Sequence, residues 1–181
     1  MFILFAGTGI WMVSQSKKAG EASLIGGPFE LTDHTGRTVT EADFAGTHKL
    51  VYFGYTFCPD ICPSGLTTIS TALDLLGEHA KQVKPLFITV DPKRDTVSAL
   101  ASYYEHFHPS FSNLTGTPEQ VALVAQAYRV FYRKTNSGDT TDYLMDHSTV
   151  TYLMAPDGEY ITHFGHDVTP ERLAAAILNV F

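Results

Sequence analysis

Residues 49–66, KLVYFGYTFCPDICPSGL, decide how this chain folds. Lys49 to Tyr55 is a near-continuous β-branched and aromatic run, the pattern of a strand buried on both faces. Ser64 to Lys81 then fits a helix, with Leu66, Ile69, Leu73 and Leu76 at spacings of three and four. Between strand and helix lie both cysteines of the chain, Cys58 and Cys62, each followed by a proline.

Outward from this unit, strands and helices alternate. Pro85–Val90 (PLFITV) reads as a second buried strand, Thr96–Phe107 as a second helix and Phe111–Thr115 as a short strand. Thr117-Pro118-Glu119-Gln120 supplies a capping hydroxyl and a proline for a third helix reaching about Phe131. Lys134–Asp142 is polar and is expected to be a mobile loop. Ser148–Met154 and Glu159–Phe164 form a hairpin across Ala155-Pro156-Asp157-Gly158, and Thr169-Pro170-Glu171 opens a last helix to Val180. Upstream, Gly26–Thr40 holds two short strands about an Asp33-His34-Thr35-Gly36 turn, and Glu41–Phe44 makes a helical turn. The expected class is α/β: a thioredoxin-like fold with an N-terminal β-hairpin and inserted helix and strand elements.

With 181 residues, 44% hydrophobic and 17% charged, the chain has enough apolar surface for one domain and too much for a disordered one. Its net charge of −7 excludes a phosphate-backbone binder, so no nucleic-acid partner is expected. Two cysteines exclude a disulfide-rich scaffold. Met1–Val13 carries no charge, yet as a helix it would span roughly 20 Å of the ~30 Å bilayer core. A polar stretch follows it. Residues 1–24 are expected to be a membrane-anchor remnant and flexible linker, a weak signal segment or a buried helix being the alternatives. Residues 25–181 are expected to form the domain.

The cysteines carry the chemistry. Four apart on a helical turn, they would bring their Cβ atoms to roughly 5–6 Å on one face. That is wider than the ~3.8 Å of a relaxed disulfide. A helix N-terminus favours the thiolate, which is both nucleophile and metal ligand. Two thiolates make a soft site that selects Cu(I) or Zn. Of the eight histidines, His79, His106 and His108 fall at helix ends and His34 and His48 in turn-like segments. His147, in Asp146-His147-Ser148, stands at the mouth of a strand whose entry loop faces the first helix in a thioredoxin-type sheet, and is the candidate third ligand. Asp60 reads as a solvated turn residue, Asp91 as a strand-exit turn, Asp146 as a possible orienter of His147, and Met154 as packing; Met145 is a soft-ligand type.

The blocks VYFGYTFCPDICPSGL, FITVDPKRDT, SNLTGTPEQ and YLMDHSTVTYLMAPDG, in this order, resemble the Sco/SenC family of copper-binding proteins that assist cytochrome c oxidase assembly; the match runs from about Gly26 to Val180. The resemblance implies that Cys58, Cys62 and His147 hold one copper ion, Cu(I) or Cu(II). It implies a metallochaperone that supplies copper to the binuclear site of the oxidase or prepares that site's thiols. Its partners would be the copper-site subunit and a copper-donating protein. The domain would be a monomer, anchored in a membrane and facing the periplasm or an equivalent space.

The other reading is a thiol–disulfide oxidoreductase, with Cys58 attacking and Cys62 resolving. A peroxidase on a similar fold fits less well. Trp11, the sole tryptophan, lies in the N-terminal segment, and Thr56 stands two rather than three positions before Cys58.

Overall fold

The computed structural model describes residues 25–135 and 143–181. The anchor remnant and linker expected at 1–24, and most of the loop expected over 134–142, lie outside the described residues. The elements are β1 (Glu30–Asp33), β2 (Thr38–Thr40), a 3-10 turn (Glu41–Phe44), β3 (His48–Gly54), α1 (Ile61–Leu76), a second 3-10 segment (Gly77–Gln82) and β4 (Val83–Thr89). They continue as α2 (Val97–Tyr104), β5 (Ser112–Thr115), α3 (Pro118–Ala127), β6 (Tyr132–Lys134), β7 (Met145–His147), β8 (Val150–Met154), β9 (Tyr160–Gly165) and α4 (Pro170–Leu178).

Seven strands form one sheet in the order β2-β1-β5-β4-β3-β8-β9. β3, β4 and β5 run parallel, which requires the crossover helices α1 and α2, while β8 and β9 return antiparallel beside β3. This is the expected thioredoxin-like α/β arrangement, with the expected hairpin, β1 and β2, added at one edge. Every residue of β3 is buried, as its composition demands of a central strand.

Alternation along β3 assigns the layers. The Tyr52 ring lies against Gly65 of α1, and Phe87, its register partner on β4, meets Tyr103 of α2. Phe53 points the other way and packs on Tyr128, just after α3. Helices α1 and α2 therefore cover one face, with α4 packed on α1, and α3 covers the other.

Two differences from the sequence reading bear on function. The first helix starts at Ile61 rather than Ser64 and ends at Gly77, whose φ of +55° favours glycine. Cys62 therefore sits within the first turn and Cys58 in the loop before it. His147 does not lie at the start of β8. It ends β7, which pairs with β6 in a separate two-stranded ribbon. Three-residue strands are too short for residue alternation to announce them.

Candidate metal centre

The loop between β3 and α1 is pinned before the cysteines arrive. Thr56 donates from its backbone nitrogen and hydroxyl to the two carboxylate oxygens of Asp95, at 3.0 and 2.6 Å. Thr89, at the end of β4, donates to the same carboxylate at 2.6 Å. Asp95 is fully buried, and burial raises its pKa against the lowering effect of those hydrogen bonds.

Two residues later Cys58 turns its Sγ toward the opening of α1, where the amide of Cys62 donates to it at 3.3 Å. Cys62 is 0% exposed, and its Sγ lies over Gly54 at the end of β3. A Cβ on Gly54 would stand 2.9 Å from that sulfur and 2.8 Å from the Phe87 ring. Glycine is the residue that leaves room for the thiol. Both cysteines are free.

His147 reaches the pair from the ribbon. Its Nε2 lies 3.4 Å from Cys62 Sγ, while Nδ1 faces the Ser148 carbonyl at 3.0 Å. A carbonyl can only accept, so Nδ1 carries a proton, and Nε2 is the ring nitrogen turned toward the sulfurs. The ring stands edge-on to Tyr55 at 5.8 Å. The two sulfurs and a ring nitrogen lie within 4.8 Å of one another, the sole group among the described residues able to hold a metal ion.

The thiols differ sharply. The hydrogen bond from Cys62 is the largest influence in holding the Cys58 thiol down, to about 4, with His147 and the amides of Cys62 and Asp60 adding to it against the opposing effect of burial. The same hydrogen bond, and then burial, pushes the Cys62 thiol well above its ordinary range. At neutral pH this is a half-exposed thiolate beside a buried thiol.

All three residues singled out from the sequence therefore meet. The other described histidines go elsewhere. His34 stacks on Tyr104, His48 and His79 flank Phe181, and His163 bonds Tyr160. Asp146 does not orient His147: it faces Arg133 at 2.9 Å and turns away, as alternate residues of a strand do. Met154 is buried packing, as expected. The sequence reading missed Gly54, Arg94, Asp95 and Tyr143. All four stand inside the blocks that carry the family resemblance, but no spacing rule marks residues that act on a site from another element.

A family model described as SCO1/SenC matches residues 17–181. The chain belongs to the SCO1/SenC family. It is 43% identical over 156 residues to Protein SCO1 homolog, mitochondrial, of Homo sapiens, covering 85% of this chain and 52% of that protein. To Protein SenC of Rhodobacter capsulatus it is 45% identical over 162 residues, covering 89% and 73%. The solved structure of Bradyrhizobium japonicum ScoI with copper bound is similar at a TM-score of 0.81 and 41% identity, over 87% of this chain and 99% of that one. The chain thus spans about half the length of the human relative. No helix among the described residues is long and apolar enough to cross a membrane.

Proposed function

We propose that this SCO1/SenC domain binds one copper ion through Cys58, Cys62 and His147 and serves cytochrome c oxidase assembly, supplying copper to the oxidase's binuclear copper site or preparing the thiols of that site. The observation that carries the reading is the convergence of two sulfurs and one imidazole nitrogen within 4.8 Å. It is supported by membership of a family concerned with copper handling and oxidase assembly.

The donor chemistry fits. Two soft sulfurs favour Cu(I) over hard cations, and a neutral imidazole suits copper in either oxidation state. Cu(II) would call for an additional oxygen or nitrogen donor. Cys58 is already a thiolate at neutral pH, so the proton to be released on binding comes from Cys62, and affinity falls as pH drops. Cys58 is half-buried and opens to solvent, so an incoming partner's ligand can replace it before the others let go. The partners on this reading are the copper-site subunit and a copper donor. Residues 1–24 would tether residues 25–181, acting as a monomer, to a membrane on its periplasmic or equivalent side.

The contrast between the thiols favours a second activity on the same residues. A thiolate at Cys58 can attack a partner's disulfide, releasing one partner thiolate and forming a mixed disulfide. Cys62, deprotonated in turn, displaces the second, leaving Cys58 and Cys62 oxidised and the partner reduced. The oxidised pair would no longer offer thiolates to copper.

Anaerobic Cu(I) titration of the reduced protein, beside His147→Ala, tests the main reading. One tight equivalent is expected for the wild type. The substitution should weaken it by more than the about 10–100-fold typical of losing an outer-sphere partner. Unchanged affinity in His147→Ala, with disulfide reductase activity intact, would leave the thiol reading alone.

A further inference from the structure

The turn between β4 and α2 touches both halves of the metal centre. On the cysteine side, Asp95 holds Thr56, two residues before Cys58. On the histidine side, the neighbouring Arg94 reaches the segment leading into β7. Its Nη1 donates to the Tyr143 carbonyl at 2.9 Å, and its guanidinium carbon lies 3.7 Å from the centre of the Tyr143 ring. The same guanidinium lies 4.5 Å from the Phe57 ring and 5.8 Å from that of Tyr55. Asp91 closes the arrangement by pairing with Arg94 Nε and accepting the Tyr143 hydroxyl at 2.8 Å. The Arg94 side chain is only 14% exposed.

We infer that Arg94 is a positioning residue: it clasps Tyr143 to Tyr55 and Phe57, and so sets the reach of His147 toward Cys58 and Cys62. The physical case lies in the shape of the group. A guanidinium is planar and can present a face to aromatic rings while its edge donates to a carbonyl and a carboxylate. Lysine keeps the charge and can keep the Asp91 pair, but has no plane to place among three rings. Tyr55 passes the constraint on, since its ring stands edge-on to His147 with centroids 5.8 Å apart. Among the described residues the ribbon carrying His147 pairs with no strand of the main sheet, so contacts of this kind decide where the imidazole stands.

The inference rests on the proposed metal site, and a double-mutant cycle separates the two. Cu(I) affinity is measured for Arg94→Lys, for Tyr143→Leu as an approach from the other side of the clasp, for His147→Ala and for each clasp variant combined with His147→Ala. Each clasp variant should lose about 10–100-fold in affinity when His147 is present, as for other outer-sphere partners. Neither should lose more than about twofold when His147 is already alanine. The sulfur-to-copper absorption of the Cu(II) adduct should shift in the clasp variants, which a change in global stability alone would not cause. Equal losses in both backgrounds, or no loss in either, overturn the inference while the metal site stands. A wild type with no tight Cu(I) equivalent, or His147→Ala with wild-type affinity, overturns both.

Discussion

Cys62 and His147 are 3.4 Å apart, yet they are held by unlike parts of the molecule. Cys62 belongs to the first turn of a 16-residue helix packed on the fully buried central strand, and its sulfur fills the space left by Gly54. The loop leading to it is tied to the end of β4 through Asp95. His147 ends a three-residue strand in a two-stranded ribbon that is only half-buried. Ribbons of that size have little stability of their own and borrow it from what they touch. The thiol half is built into the core and the imidazole half is hung beside it. On the proposed reading, a site that takes up a metal and hands it on would gain from that division, because one ligand could move without disturbing the fold.

The sharpest way to break this comparison is thiol alkylation of the reduced, metal-free protein. Iodoacetamide should modify Cys58 orders of magnitude faster than the buried Cys62 at neutral pH, read by mass spectrometry of the peptides. An ordinary thiol loses reactivity below about pH 8.5. Cys58 should keep its rate until the pH approaches about 4, and lose it below. Linkage carries the same signs. Between those pH values the unfolded chain binds more protons at Cys58, so stability rises with pH; above about 8.5 the raised Cys62 reverses the slope. Equal alkylation rates would deny the asymmetry.

A second substitution strikes the rigid half. Gly54→Ala forces a methyl to within 3 Å of both Cys62 Sγ and Phe87. Overpacking of this kind costs about 1–3 kcal/mol in unfolding free energy. Copper affinity should fall with it, because the sulfur must move. Wild-type values for both would mean that the core does not confine this thiol as described.

The smallest effect is expected on the outer side of the ribbon. Asp146→Ala removes a solvent-exposed ion pair with Arg133, typically a matter of about 0–1 kcal/mol, and should leave Cu(I) affinity unchanged. Substantial weakening would show that the ribbon's register itself, rather than its inward contacts, places His147.

How much could be read beforehand divides along the same line. The β3–α1 unit announced itself through local pattern: seven buried residues in a row, apolar spacings of three and four, and prolines flanking two cysteines at a helix start. The Thr117 cap and the turn at Pro156–Asp157–Gly158 were likewise legible, since they depend on residues three or four apart. His147 could be singled out only by supposing the fold first. Its ribbon, its separation from β8 and the hold of the Ser148 carbonyl on its Nδ1 were not legible, and Asp146 proved to face the other way.

What the sequence determined unaided was the class of sheet, the position of the dithiol and the softness of the chemistry, because each follows from neighbours along the chain. The sequence had already put Cys58 forward as the attacking thiol. The tertiary structure supplied the burial and hydrogen bonding that make it so, the room that Gly54 leaves for Cys62, and the grip of Asp95 and Arg94 on the two arms of the site. The thiol order rests on burial and on a hydrogen bond between residues four apart, and Gly54 stands eight residues before Cys62. The grips of Asp95 and Arg94 and the approach of His147 span some 40 to 90 positions, and chain proximity carries no record of them.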